Sequence, residues 1–270
     1  MTDRDQDYLF DLQGYFVLRG ALSPDQLSRI NAWVDDHTPE KTGQWFDRVH
    51  VHSYQGHDGF NFQNIVSAGG VFAECVNHEA WMPSVRRYIT TDMHKPSVQE
   101  NFLNVRGQSG FIGIHSGGHN PGFVMSTRHH TGAWMLGQIN ILMALTDIGP
   151  GDGATTVVPG SHKSHEVHPA LLAEGDRGGA AQSHNDDIVA GEQLGMTEVH
   201  LKAGDALMFT DAICHGSAAR TNGGQRRVMI YRYSPHVIAP RFNYEQDPDF
   251  LDTLTPARRE LLNPHPTLRP

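Results

Sequence analysis

Between residues 96 and 236 the chain is divided into short apolar or alternating runs, and this texture constrains its fold more than any other feature. The runs are SVQENFLNV, GFIGIH, QINILMALTDI, ATTVVPG, EVHLKAG, ALMFTDAICHG and RRVMIYRYSP, separated by Gly, Pro, Asp and Asn. Seven strand candidates with turn signals between them predict a mainly β jelly roll or sandwich rather than a parallel α/β sheet. Residues 172–197, a polar Gly-rich stretch, interrupt the series and read as a disordered insert or a functional lid.

The flanks read differently. Residues 8–20 predict a short helix that turns at Gly14 into a strand, YFVLRG. Ser23-Pro24 is an N-cap with proline in the first turn, and Leu27, Ile30, Trp33 and Val34 follow at helical spacing. Residues 40–75 read as irregular or hairpin structure, and 80–90 and 256–262 as helices. With no repeat, low-complexity tract or clean linker, the expectation is one domain over 1–270. It comprises a helical or irregular region (1–95), a β core (96–236) and a tail (237–270).

Composition removes several function classes. A net charge of −9 argues against nucleic-acid or anionic-membrane partners. Cys75 and Cys214 match no redox or metal spacing, so a reducing, cytoplasmic setting is expected. The acidic start MTDRDQDYLF lacks signal-peptide character, and no apolar run reaches the ~20 residues of a membrane span. The 18 histidines, many between 115 and 236, raise the expectation of a metal site.

The segment 204-GDALMFTDAICHGSAARTNGGQRRVMIYRYSP-235 carries a strand ending at His215 and, after a Gly-rich turn, a second strand opening on Arg226 and Arg227. In a jelly roll such strands can bring a histidine ligand and a guanidinium fork to one barrel mouth, as chelation of a keto-acid requires. The competing reading is a core histidine beside two surface arginines.

Taken with 144-ALTDIGPGDGATTVVPGSHK-163, this segment resembles the phytanoyl-CoA dioxygenase-like family of non-heme Fe(II)/2-oxoglutarate-dependent oxygenases. The similarity covers roughly 96–236, with a looser match at QGYFVLRGALSPDQL. It implies a double-stranded β-helix (cupin-like) core with packed N-terminal helices, Fe(II) and 2-oxoglutarate as cofactors, and O2 and a small molecule as substrates. By that resemblance His115 and His215 are metal ligands, Arg226 binds the distal carboxylate of 2-oxoglutarate, and Ser217 and, less specifically, Gln99 lie beside the keto-acid.

The family's proximal His-x-Asp is here His115-Ser116-Gly117, so the carboxylate of the 2-His-1-carboxylate triad is absent. Four readings stay open. Gly117 leaves room for chloride, as in related halogenases. Another residue supplies the ligand: His119, His129, His130 or Asp211, the last ~13 Å from His215 if the segment is extended. Water fills the position and the enzyme hydroxylates. Or the fold is a non-catalytic binding module. His162 and His165 read as structural, Trp45, Phe46 and Phe60 as core packing or an apolar wall over the site. Gln138 and Asn140 read as one face of a strand turned into the barrel. Substrate identity and oligomeric state are not legible.

Overall fold

The computed structural model describes residues 2–54, 58–117, 127–130, 133–171 and 194–265, with the side chains of 127–130, 133 and 135 left aside. His119 and most of the 172–197 insert lie outside the described residues, as do the side chains of His129 and His130.

The N-terminal prediction matches closely. Helix α1 (Asp3–Gln13) opens with a Thr2 capping box and stops at Gly14, whose φ of 82° is left-handed. A Cβ there would meet His162 Nδ1 at 2.6 Å, so the turn needs glycine for both shape and space. Strand β1 (Tyr15–Leu18) follows, then α2 (Pro24–Asp36), capped by Ser23, which buries Ile30 and Val34. The short strands β2 (Trp45–Phe46), β3 (Val49–His52) and β4 (Phe60–Gln63) come next. Helices α3 (Gly70–Cys75) and α4 (Met82–Ile89) bury one side each against the sheet.

The barrel strands are β5 (Pro96–Arg106), β6 (Ile112–His115), β9 (Ile139–Ala144), β10 (Thr155–Val157), β11 (Thr197–Val199), β12 (Ala206–Thr210), β13 (His215–Ser217) and β14 (Arg226–Pro235). A hairpin of β7 (Thr127–His130) and β8 (Ala133–Leu136) lies between β6 and β9. The chain alternates between two antiparallel sheets. The larger has the order β1-β12-β9-β14-β5-β4-β3-β2, and the smaller β11-β10-β13-β6. This back-and-forth winding is a double-stranded β-helix. The tail adds α5 (Pro248–Thr253) and α6 (Pro256–Leu262).

The region before residue 96 is therefore more than a helical annex, since β1 extends one edge of the large sheet and β4, β3 and β2 the other. Strands of two to four residues carry too few alternations to be read as a pattern. The main core lies between the outer face of the large sheet and the helices. A second core, including Val157, Leu201, Leu207, Ile213 and Val228, sits between the sheets. Cys75 and Cys214 are both buried free thiols. Among the described residues no helix is long and apolar enough to cross a membrane.

Candidate active site

Antiparallel pairing of β6 with β13 sets His115 directly opposite His215, their ring centroids 4.1 Å apart. The approach depends on Gly216, where a Cβ would meet Ile112 O at 2.6 Å. Each imidazole turns Nδ1 to the carbonyl two residues before it, His115 to Gly113 O at 3.0 Å and His215 to Ile213 O at 2.8 Å. With Nδ1–H donated to a carbonyl, each Nε2 keeps its lone pair for a metal. Burial and the neighbouring His215 push the His115 pKa down to about 3, and burial likewise lowers His215. Two neutral, fixed imidazoles are the protonation state that metal ligation requires.

The pair opens into a cavity of about 310 Å³ between the sheets. At one end lies Arg226, 4% exposed, with Nη2 donating to Thr155 Oγ1 at 3.3 Å. Its Nε has no hydrogen-bond partner, and none of the ion pairs among the described residues includes it. Burial, then Arg106 and Arg220, depress its pKa to about 9. A buried guanidinium with an orphaned N–H is costly unless an anion completes it. Ser217 stands beside it, its Oγ accepting from Arg106 Nη1 at 2.6 Å. Arg227 points away and pairs with Asp35 at 2.6 Å.

Inward-facing side chains of β5, β9 and β14 pave the cavity floor. Val228, Leu142, Ile230 and Phe102 form an apolar stretch, followed by a polar end. There Arg232 pairs with Glu100 at 2.7 Å, and Glu100 also accepts from the Tyr54 hydroxyl. Gln138 and Asn140 face inward as expected and donate in series, Gln138 to Asn140 at 3.1 Å and Asn140 to Asp211 at 3.1 Å.

The family model for phytanoyl-CoA dioxygenase (PhyH) matches residues 10–228. The chain belongs to that family. PhyH proteins are Fe(II)/2-oxoglutarate-dependent oxygenases, and the paired imidazoles and uncompensated Arg226 suit both cofactors. Among curated relatives, the ectoine dioxygenase of Nocardia farcinica is 24% identical over 77% of this chain and 70% of its own length. The Fe(II)/2-oxoglutarate-dependent dioxygenase nvfF of Aspergillus novofumigatus is 30% identical over 47% of this chain, which spans 36% of that protein. Among solved structures, HygX of Streptomyces hygroscopicus with nickel and 2-oxoglutarate bound has a TM-score of 0.69 at 20% identity. The alignment covers 88% of this chain and 89% of that one, and shows that the two share a fold.

Gln99, which the resemblance places beside the keto-acid, is held by hydrogen bonds of its own. It lines the cavity, but at the β14 bulge between Arg232 and Tyr233, seven residues along β5 from Arg106, the partner of Arg226. Its amide donates to Ala239 O at 3.0 Å and accepts from Ser234 Oγ at 3.1 Å. It thus ties down the segment carrying Arg241 and Phe242, which pack on Tyr54 at the mouth.

Asp211 is the residue whose position sequence spacing misjudged. The chain is not extended between Asp211 and His215: it turns, with Ile213 N donating to Thr210 O at 3.1 Å. The turn returns the Asp211 carboxylate to the cavity, where it acts electrostatically on both imidazoles. Its main-chain oxygen accepts from Gly117 N at 2.9 Å. Even so, among the described residues no set of three His, Cys, Asp or Glu has metal-holding geometry. His162 is structural, its Nε2 on Asp11 O at 3.1 Å. Trp45 is 53% exposed and stacks on His50, away from the cavity, while Phe46 and Phe60 pack against the main core.

Proposed function

We propose that the protein oxidises an unactivated C–H bond of a small polar or amphipathic molecule, with His115 and His215 holding Fe(II) and Arg226 the distal carboxylate of 2-oxoglutarate. The observation that carries this reading is the buried Arg226 guanidinium, lacking a carboxylate partner, in the same cavity as two Nε2-presenting imidazoles. Bound Fe(II) with 2-oxoglutarate and O2 would supply the oxidising power. The chain's own residues do the rest. Thr155 and Ser217 flank the guanidinium, the apolar floor keeps water from the reacting carbon, and Gln138, Asn140 and Glu100 offer polar anchors for substrate. The relative named for ectoine supports a small-molecule substrate.

For the coordination position beside Gly117 we favour water, hence oxygen insertion. The Asp211 carboxylate lies near both imidazoles, and a second anion there would be repelled. Halogenation is the second reading, favoured by Gly117, whose lack of a side chain leaves space for chloride. Aerobic turnover with Fe(II), 2-oxoglutarate and a panel of small metabolites, with and without chloride, separates them. Succinate release with oxygen in the product is expected. Chlorinated product selects the second reading. No 2-oxoglutarate consumption together with no Fe(II) binding by calorimetry would return the fold to a non-catalytic binding module.

A further inference from the structure

The family's metal-binding carboxylate is missing at Gly117, yet a carboxylate is present in the cavity from another strand. Asp211 follows β12, and the turn over 211–214 folds it back toward His215. Asn140 Nδ2 donates to one oxygen, Oδ1, at 3.1 Å, and the Arg232 guanidinium lines the same cavity. Gly117 N–H donates to the main chain of this same residue, so the two loops bearing Gly117 and Asp211 are locked together.

We infer that Asp211 supplies, from β12, the negative charge that the His115-x-Gly117 sequence lacks, acting through a hydrogen bond to a metal-bound water rather than as a ligand. The inference rests on the Fe(II)/2-oxoglutarate reading above. Three observations carry it. The carboxylate lines the same cavity as the imidazole pair, Asn140 donates to only one of its two oxygens, and among the described residues it completes no three-residue metal-holding set with the histidines. A facial triad brings one anionic ligand to Fe(II), and two neutral imidazoles bring none. A carboxylate one water away restores much of that charge balance and orients the water, as outer ligand partners do in other metal sites. Asp211 is therefore a positioning residue, and Asn140 orients it in turn.

The test measures metal binding, independent of turnover. Anaerobic titration of Fe(II), with 2-oxoglutarate present, is followed by calorimetry and by the visible charge-transfer absorption. Asp211→Asn keeps an acceptor for Asn140 and removes only the charge. It is expected to weaken Fe(II) binding about tenfold or more and to shift the band. In the double variant Asp211→Asn/Gly117→Asp, affinity should return toward wild type. Unchanged affinity and spectrum in Asp211→Asn would overturn the inference. The wild-type protein gives an answer that needs no variant: excess chloride should leave its band unmoved, and a chloride-dependent shift would also overturn the assignment. Wild-type protein that binds neither Fe(II) nor 2-oxoglutarate would sink the parent reading instead, which keeps the two failures distinct.

Discussion

Arg106 and Arg226 face each other in register across β5 and β14, both at most 4% exposed, and neither forms an ion pair with any described residue. Arg106 is satisfied without charge, donating to Ser109, Gly110, Ser217 and Ala218. Burial still lowers its pKa to about 10. Two adjacent buried cations would make the anion receptor proposed for 2-oxoglutarate, at a cost to the ligand-free fold. In Arg226→Met the loss of a charge-assisted partner, about 2–5 kcal/mol, should raise the KM for 2-oxoglutarate roughly 30-fold or more. The same variant should melt at a higher temperature than wild type when ligand is absent, because it no longer buries a lone charge. Differential scanning fluorimetry with and without 2-oxoglutarate checks both signs.

Glu100 and Arg232 form a buried pair whose partners differ in what they can lose. Removing the charge in Glu100→Gln leaves Arg232 facing only Asp211. Stability should fall by about 3–5 kcal/mol, read as a lower denaturation midpoint in urea.

Gln99 distinguishes a keto-acid role from a scaffolding one. Because it ties Ala239 and Ser234 rather than approaching Arg226, Gln99→Ala should loosen the mouth segment and raise the KM for the organic substrate. The KM for 2-oxoglutarate should not change. Steady-state kinetics with each substrate varied in turn separates the two roles, and a rise confined to 2-oxoglutarate would restore the cofactor-binding role.

His162 makes stability depend on pH. Burial lowers its folded pKa from 6.5 to about 4. Below 6.5 the unfolded chain takes up a proton that the folded chain refuses, so stability declines as pH falls from 6.5 to about 4. The full decline is about 3 kcal/mol. Urea unfolding at stepwise lower pH should show this slope, and His162→Gln should flatten it.

The sequence disclosed much of this molecule for identifiable reasons. Thr2, Ser23 and Gly14 act within a few residues of where they stand, so α1, β1 and α2 could be read from caps and spacing. The runs around His115, His215 and Arg226 are similarly local, and β-sheet alternation separates Arg226 from Arg227. What escaped depends on contacts distant in sequence. The position of Asp211 hinges on a four-residue turn inside an otherwise strand-like run. The Glu100–Arg232 pair is set by register across 132 residues, and Gln99 acts on the tail 140 residues away. The helices α3 and α5, six residues each, were too short to show a period.

The ladder between β5 and β14 is also a ruler. Arg226 and Arg232 both point into the cavity and lie six residues apart on one strand, roughly 20 Å. Everything the enzyme holds at once must fit between those two guanidinium groups. With 2-oxoglutarate at the Arg226 end, as proposed above, the room left toward Arg232 would admit only about a single ring or short chain of an organic substrate. A larger molecule would react only at an extremity, with its bulk left outside against Tyr54 and Arg241.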